Sequence, residues 1–359
     1  MNRDAAATAT RADRVVAWTR PAVRALKPYY KAPIDGDPLR LDQNTNLWGR
    51  NPVLDEVPVP DMDQYPSRDG DDLLAALADW HGLSSEHFVV GNGSDELLDL
   101  VTKAFAAPQQ TMALPAPSYS LYPFYAALQD LRLQRVPMRW AFRVDVDGIL
   151  AAKPQLVVVA SPNNPTGNRV PAADLERLLA GTDGVVVVDE AYIEYAGLRH
   201  SMLGRVEEFD NLVVMRTFSK AYGLAGLRIG YVAANTLLAA RLRLVKPPFN
   251  LNTYSERVAV AAVAGQAFVD GVVAGTVAER ERLGNALTAL GFRVHPSQAN
   301  FLLTEHNTDP GIIADGLRRR GILVRTFAHV DGLEHAVRFG VGRPEHSDRL
   351  LTALAEVLA

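Results

Sequence analysis

The stretch GVVVVDEA, residues 184–191, sets four valines in a row and closes on two acids before an alanine. A strand with one wet face alternates apolar and polar residues. An unbroken apolar run suits a strand covered on both faces, as in parallel sheets. Five further runs share this texture: FVVG (88–91), TMALP (111–115), QLVVVAS (155–161), NLVVMRT (211–217) and IGYVAA (229–234). Segments at 94–106, 118–129 and 171–181 lie between several of them and read as helices. That alternation predicts an open α/β sheet, mostly parallel and covered by helices.

Outward from this block the pattern changes. DDLLAALADWHG (71–82) carries acids in its first turn and Gly at its end, which predicts a helix. Residues 30–62 are rich in Pro, Asp and Asn and read as an extended arm or loop. The N-terminus reads as a tail leading into a helix, with no apolar core of signal-peptide length. After about residue 255 comes a long helical stretch (254–290), then RVHPSQANFLLTE, a helix at 309–320, ILVRTF, AVRFGVG and a final helix from 345. This mixture predicts a smaller α+β domain. The expected division is 1–45 as N-terminal arm and part of the small domain, 46–260 as the large domain and 261–359 as the C-terminal small domain.

Composition narrows the function classes. The chain has 359 residues, 48% of them apolar, enough for a sizeable core. A formal net charge of -4 gives no reason to expect nucleic acid or an anionic membrane as partner. There is no cysteine, which excludes disulfides and cysteine-based zinc sites. No metal is expected. No apolar run approaches the roughly 20 residues needed to span a bilayer, and a cytoplasmic location is expected.

Ligands of open α/β sheets bind beyond the carboxyl ends of the strands, and four apolar runs end in chemically loaded residues. FVVG leads into NGSDELLDL (92–100), where Ser94 opens a helix. Backbone N–H groups there can hold a phosphate, although Ser94 and Asp95 also serve as ordinary cap residues. QLVVVAS leads into PNNPTGN (162–168), a turn by composition whose Asn164 has an amide to offer a ligand. After GVVVV stands Asp189, which needs a facing cation unless it merely caps the next segment, with Tyr192 three residues on. NLVVM leads into RTFSKAYGLAGLR (216–228). Thr217 and Ser219 are small hydroxyl donors there, and Arg228 suits a phosphate.

Lys220 is one of six lysines, against 31 arginines. A surface role fits poorly with the apolar strand before it and AYGLAGL after it. Unlike arginine, a lysine amine can lose its proton and form a Schiff base with a carbonyl. A cofactor with an aldehyde, a phosphate and a basic ring nitrogen would use Lys220, the Ser94–Ser219–Arg228 set and Asp189 together. Pyridoxal 5'-phosphate (PLP) has all three groups.

The motifs NGSDELLDLV, SPNNPTGN, VVVDEAYIEYA, RTFSKAYGLAGLRIGY, KPPFNLN and PSQANFLL, in this order, resemble those of fold-type I PLP-dependent aminotransferases. Within them the chain is most similar to the histidinol-phosphate aminotransferase group, from about residue 20 to the C-terminus. The resemblance implies a large PLP-binding domain, a smaller α+β domain and a ping-pong amino transfer. The pair implied is histidinol phosphate with 2-oxoglutarate/glutamate, in histidine biosynthesis. Lys220 is then the Schiff-base lysine and proton shuttle, and Asp189 the partner of the ring nitrogen. Asn164 and Tyr192 would bond the ring oxygen, and Tyr119 would stack on the ring. Ser94, Asp95 through its backbone, Thr217, Ser219 and Arg228 would surround the phosphate. Tyr65 would reach the phosphate in a neighbouring subunit, making the active unit a homodimer. Arg338 would anchor the substrate's anionic group and Arg325 its phosphate, while Tyr29 would close over the substrate. In the arm LDQNTNLWGRNP (41–52), Thr45 and Leu47, followed by Trp48, stand where the family usually has glutamate and proline before an aromatic. That departure leaves open an aromatic or specialised-metabolite amino acid as substrate. A phospho-amino-acid decarboxylase of the same fold is a further alternative.

Overall fold

A computed structural model describes residues 11–24, 26 and 36–359. Its centre is a seven-stranded sheet. Across it the order is Phe88–Gly91, Gly230–Ala234, Leu212–Thr217, Val185–Asp189, Leu156–Ala160, Thr111–Ala116 and Arg132–Pro137. The last five strands run parallel. Gly230–Ala234 is antiparallel to both of its neighbours, so Phe88–Gly91 again points with the majority.

The valine runs are buried on both faces, as their composition predicts. Val186, Val188 and Val214 belong to one apolar core, closed by the helices Asp71–His81, Ala172–Gly181 and Thr253–Ala264. Val187, Val213 and Met215 belong to the other, under Ser94–Phe105, Leu121–Leu128 and Thr236–Val245. Gly82 ends the helix 71–81 in a left-handed conformation (φ 66°), its N–H bonded to Ala78 O.

A four-stranded antiparallel sheet, in the order Arg325–Thr326, Ala336–Gly340, Phe301–Glu305 and Arg293–Val294, lies beside this block. It packs on the helices Pro310–Arg319 and Pro344–Leu358. The arm residues Leu39–Arg40 pair in parallel with Ile322–Leu323, and Leu41 joins the same core. Leu39–Arg40 and Ile322–Leu323 form a separate two-stranded sheet, and from it the arm runs on to the strand ends of the larger one.

One expectation changes, and one strand was not anticipated. The helical stretch 254–290 is two helices, Thr253–Ala264 and Gln266–Ala289, bent by 72° at Gly265. The segment Arg132–Pro137, RLQRVP, is an edge strand that its charges disguised. Among the described residues, no single helix is long and apolar enough to cross a membrane.

Candidate active site

The parallel strands deliver their C-terminal residues to one edge of the sheet, and a cavity of about 1180 Å³ opens there. It is lined by every candidate cofactor- and substrate-binding residue named above except Tyr65 and Tyr29. Tyr29 lies outside the described residues. Tyr65 is 84% exposed, tilts against the Phe249 ring at 5.1 Å and does not line the cavity of its own chain.

Asp189, the last residue of its strand, is 6% exposed. Tyr122 Oη donates to its Oδ2 at 2.6 Å and the Ala191 N–H to its Oδ1 at 3.0 Å. Both donors are neutral, and no ion pair reaches Asp189 among the described residues. Burial pushes its carboxyl up to about 6, against the downward pull of those hydrogen bonds. Tyr122 is pushed well above its ordinary value by burial and by Asp189, so it stays a protonated donor. The charge on Asp189 is therefore only half supported, and a cation brought against it would complete the set.

A second corner is built for an anion. Ser94 starts the helix Ser94–Phe105 directly after Gly93, whose φ is 88°. A Cβ on Gly93 would meet Arg228 Nη2 at 2.5 Å, so glycine lets the guanidinium lie against the helix start. Arg228 itself has φ 54°, donates to Ala225 O at 3.1 Å and pairs with Asp95 Oδ2 at 3.2 Å. The Asp95 carboxylate thus turns to Arg228 and, at 3.4 Å, to the Tyr119 hydroxyl. Its backbone N–H remains in the first turn of the helix. Thr217 Oγ1 donates to Ser219 Oγ at 2.9 Å, and both hydroxyls are buried. Hydroxyls, a helix N-terminus and a guanidinium are the usual donors for phosphate oxygens.

Lys220 Nζ donates to Gln43 O at 3.2 Å and lies 5.6 Å from the centre of the Tyr192 ring. Arg338, buried and 5.1 Å from the Phe301 ring centre, donates Nη1 to Asn164 Oδ1 and, at 2.6 Å, Nη2 to Asp42 O. Asn164 is so turned that its carbonyl faces Arg338. Arg325, on the neighbouring strand in register with Arg338, is exposed at the cavity wall. The cavity fits PLP on its donor chemistry. It offers a buried acid short of a cation, a primary amine and a phosphate-type corner.

Two contacts escape a reading of sequence. Tyr122, which holds Asp189, lies three residues after Tyr119 in a helix whose apolar face gives no sign of it. Asn44 Nδ2 donates to Tyr192 Oη at 3.2 Å across 148 residues of sequence. Of the two departures in the arm, only Thr45 lines the cavity. Trp48 packs on Gly275, and Leu47 packs on Gly342.

Residues 58–358 match the family described as aminotransferase class I and II. A histidinol-phosphate aminotransferase of Roseiflexus castenholzii is 40% identical, covering 94% of this chain and 97% of that protein. One of Methanocaldococcus jannaschii is 32% identical, covering 90% of each chain. The crystal structure of histidinol-phosphate aminotransferase from Sinorhizobium meliloti, in complex with pyridoxal-5'-phosphate, aligns with a TM-score of 0.85 at 29% identity. That alignment covers 95% of this chain and 97% of the other.

Proposed function

The chain belongs to the aminotransferase class I and II family, and we propose that it exchanges an amino group between histidinol phosphate and the 2-oxoglutarate/glutamate pair, with PLP as cofactor. One observation carries this reading. A single cavity holds a buried carboxylate without a cation, an amine, an anion corner around Arg228 and two further arginines, Arg325 and Arg338. Relatives named for histidinol phosphate along nearly the whole chain supply the substrate.

When bound, PLP supplies an aldehyde for an amine and an electron-withdrawing ring for the charge left at a deprotonated carbon. Every other task falls to the chain. Lys220 anchors the aldehyde and moves the proton at the carbon that bears the substrate nitrogen, for which a primary amine is required. Asp189, steadied by Tyr122, keeps a proton at the ring nitrogen. Asn164 and Tyr192 would bond the ring oxygen and Tyr119 would stack on the ring. Ser94, the Asp95 backbone, Thr217, Ser219 and Arg228 hold the phosphate. Arg338 fixes an anionic group of the substrate, and Arg325 takes the phosphate of a phosphomonoester. Because Trp48 and Leu47 turn into packing, the altered arm changes the cavity at Thr45 alone. This favours histidinol phosphate over an aromatic amino acid.

We place the enzyme in the cytoplasm as a homodimer. Exposed Tyr65, beside Phe249, would enter the partner's site. We divide the chain at 45/46 and, because 260/261 falls inside the helix Thr253–Ala264, at the bend that follows that helix, with the arm counted to the small domain. The test measures kcat/KM for glutamate formation from 2-oxoglutarate with L-histidinol phosphate and with L-phenylalanine. A preference of more than about tenfold for histidinol phosphate, or roughly 1.4 kcal/mol, supports the assignment. A preference for phenylalanine, or release of CO2 in place of amino exchange, contradicts it.

A further inference from the structure

Asp42, Gln43 and Asn44 pass along the cavity and each engages a different site side chain. Asp42 O accepts from Arg338, Gln43 O accepts from Lys220, and Asn44 Nδ2 donates to Tyr192 Oη. Of these three contacts, the one from Asn44 is made by its side chain. Asn44 is 2% exposed, lines the cavity, and its Oδ1 is buried with no hydrogen-bond partner among the described residues. Its backbone is fixed, with φ at 55° and its carbonyl held by Asn300 Nδ2 at 3.0 Å. A buried amide oxygen left unpaired is unfavourable for folding and calls for a donor from elsewhere.

We infer that Asn44 is a substrate-binding residue whose Oδ1 accepts a hydrogen bond from an N–H or O–H of the amino substrate. Its Nδ2, by donating to Tyr192 Oη, leaves the Tyr192 hydroxyl proton free to point into the cavity. The inference rests on the PLP aminotransferase reading and adds a contact to it. The amino substrate is the better source of the donor. The ring nitrogen of PLP is matched by Asp189, its ring hydroxyl by Asn164 and Tyr192, and its phosphate oxygens accept, which leaves no cofactor donor for Asn44 Oδ1.

The left-handed backbone at Asn44 decides which variants are informative. Alanine would add strain there, whereas glycine and aspartate tolerate the conformation. In full-length holoenzyme, Asn44→Gly removes the amide, and Asn44→Asp keeps an acceptor oxygen. Three quantities are measured: KM and kcat for L-histidinol phosphate, the dissociation constant of PLP from quenching of intrinsic fluorescence, and the melting temperature. For Asn44→Gly we expect KM to rise about tenfold, with kcat and PLP affinity changed less than about threefold. Asn44→Asp stays within about threefold of the wild-type KM. An unchanged KM in Asn44→Gly, or a loss confined to PLP affinity, overturns the inference. Should Asn44→Gly fail to fold, Asn44→Asp, which tolerates the backbone, carries the test: a KM raised well beyond threefold overturns the inference. A wild-type protein that binds no PLP overturns the underlying reading as well, which separates the two failures.

Discussion

Asp189 and Glu190 follow one another at the end of the same strand and turn to opposite sides of the sheet. Both are buried. Glu190 receives Arg216 Nε at 3.1 Å, Ser201 Oγ at 2.6 Å and the Met202 N–H at 2.6 Å. Arg216 is fastened in turn to Ser201 Oγ at 2.7 Å. The chain therefore meets this charge with a cation of its own. Asp189 receives only a phenol and a backbone N–H. The difference separates two uses of a buried acid. Where the protein supplies the countercharge, the acid locks neighbouring strands together. Where it supplies only neutral donors, the acid is held ready for a cation that comes with a ligand.

The comparison can be broken most severely at Lys220, on the cavity side. Lys220→Ala should lower turnover by at least about 10⁴-fold, because anchoring and proton transfer are lost together. The melting temperature of the apoprotein should hardly move. Amino exchange retained near the wild-type rate would remove Lys220 from the account.

On the opposite side, Glu190→Gln should remove the ion-pair partner of buried Arg216 and leave Glu194 as its nearest opposing charge, at a cost of about 3 kcal/mol in denaturant unfolding. A variant as stable as wild type would dissolve the contrast between the two acids. Asp189→Asn should behave in reverse, with turnover down about 10²–10³-fold and apoprotein stability kept or raised. A stability loss like that of Glu190→Gln would show that Asp189 is structural too.

A smaller effect is expected in pH dependence. Burial raises the Asp189 carboxyl from its ordinary value to about 6 in the folded chain. The folded apoprotein then holds this proton more tightly than the unfolded chain does. Asp189 therefore favours the fold at acid pH, and its contribution declines as pH rises from about 4 to about 6, by roughly 3 kcal/mol in all. Stability measured across that window should fall less steeply for Asp189→Asn than for wild type. Identical slopes would mean that Asp189 is not held in the environment described.

The legible and hidden parts of the molecule divide along the same physical line. The valine runs announced their strands because burial on both faces leaves no room for polar residues, and Asp189, Thr217 and Lys220 stood out against them. Arg132–Pro137 was hidden because an edge strand tolerates charges. Gly265 was hidden because both flanking helices are apolar enough to read as one. Tyr122 with Asp189, Asn44 with Tyr192 and Glu190 with Arg216 are separated by 67, 148 and 26 residues. Periodicity reports which face of an element is buried. It does not report which partner waits there, so these pairs became visible only once the strands were set side by side.

The most direct test of the account is a spectral titration of purified, PLP-loaded protein with L-histidinol phosphate, L-phenylalanine and L-glutamate in parallel. The account predicts that L-histidinol phosphate and L-glutamate each convert the long-wavelength absorption of the lysine-bound cofactor into that of pyridoxamine phosphate, while L-phenylalanine does so far more weakly. Conversion by L-phenylalanine with none by L-histidinol phosphate would contradict it.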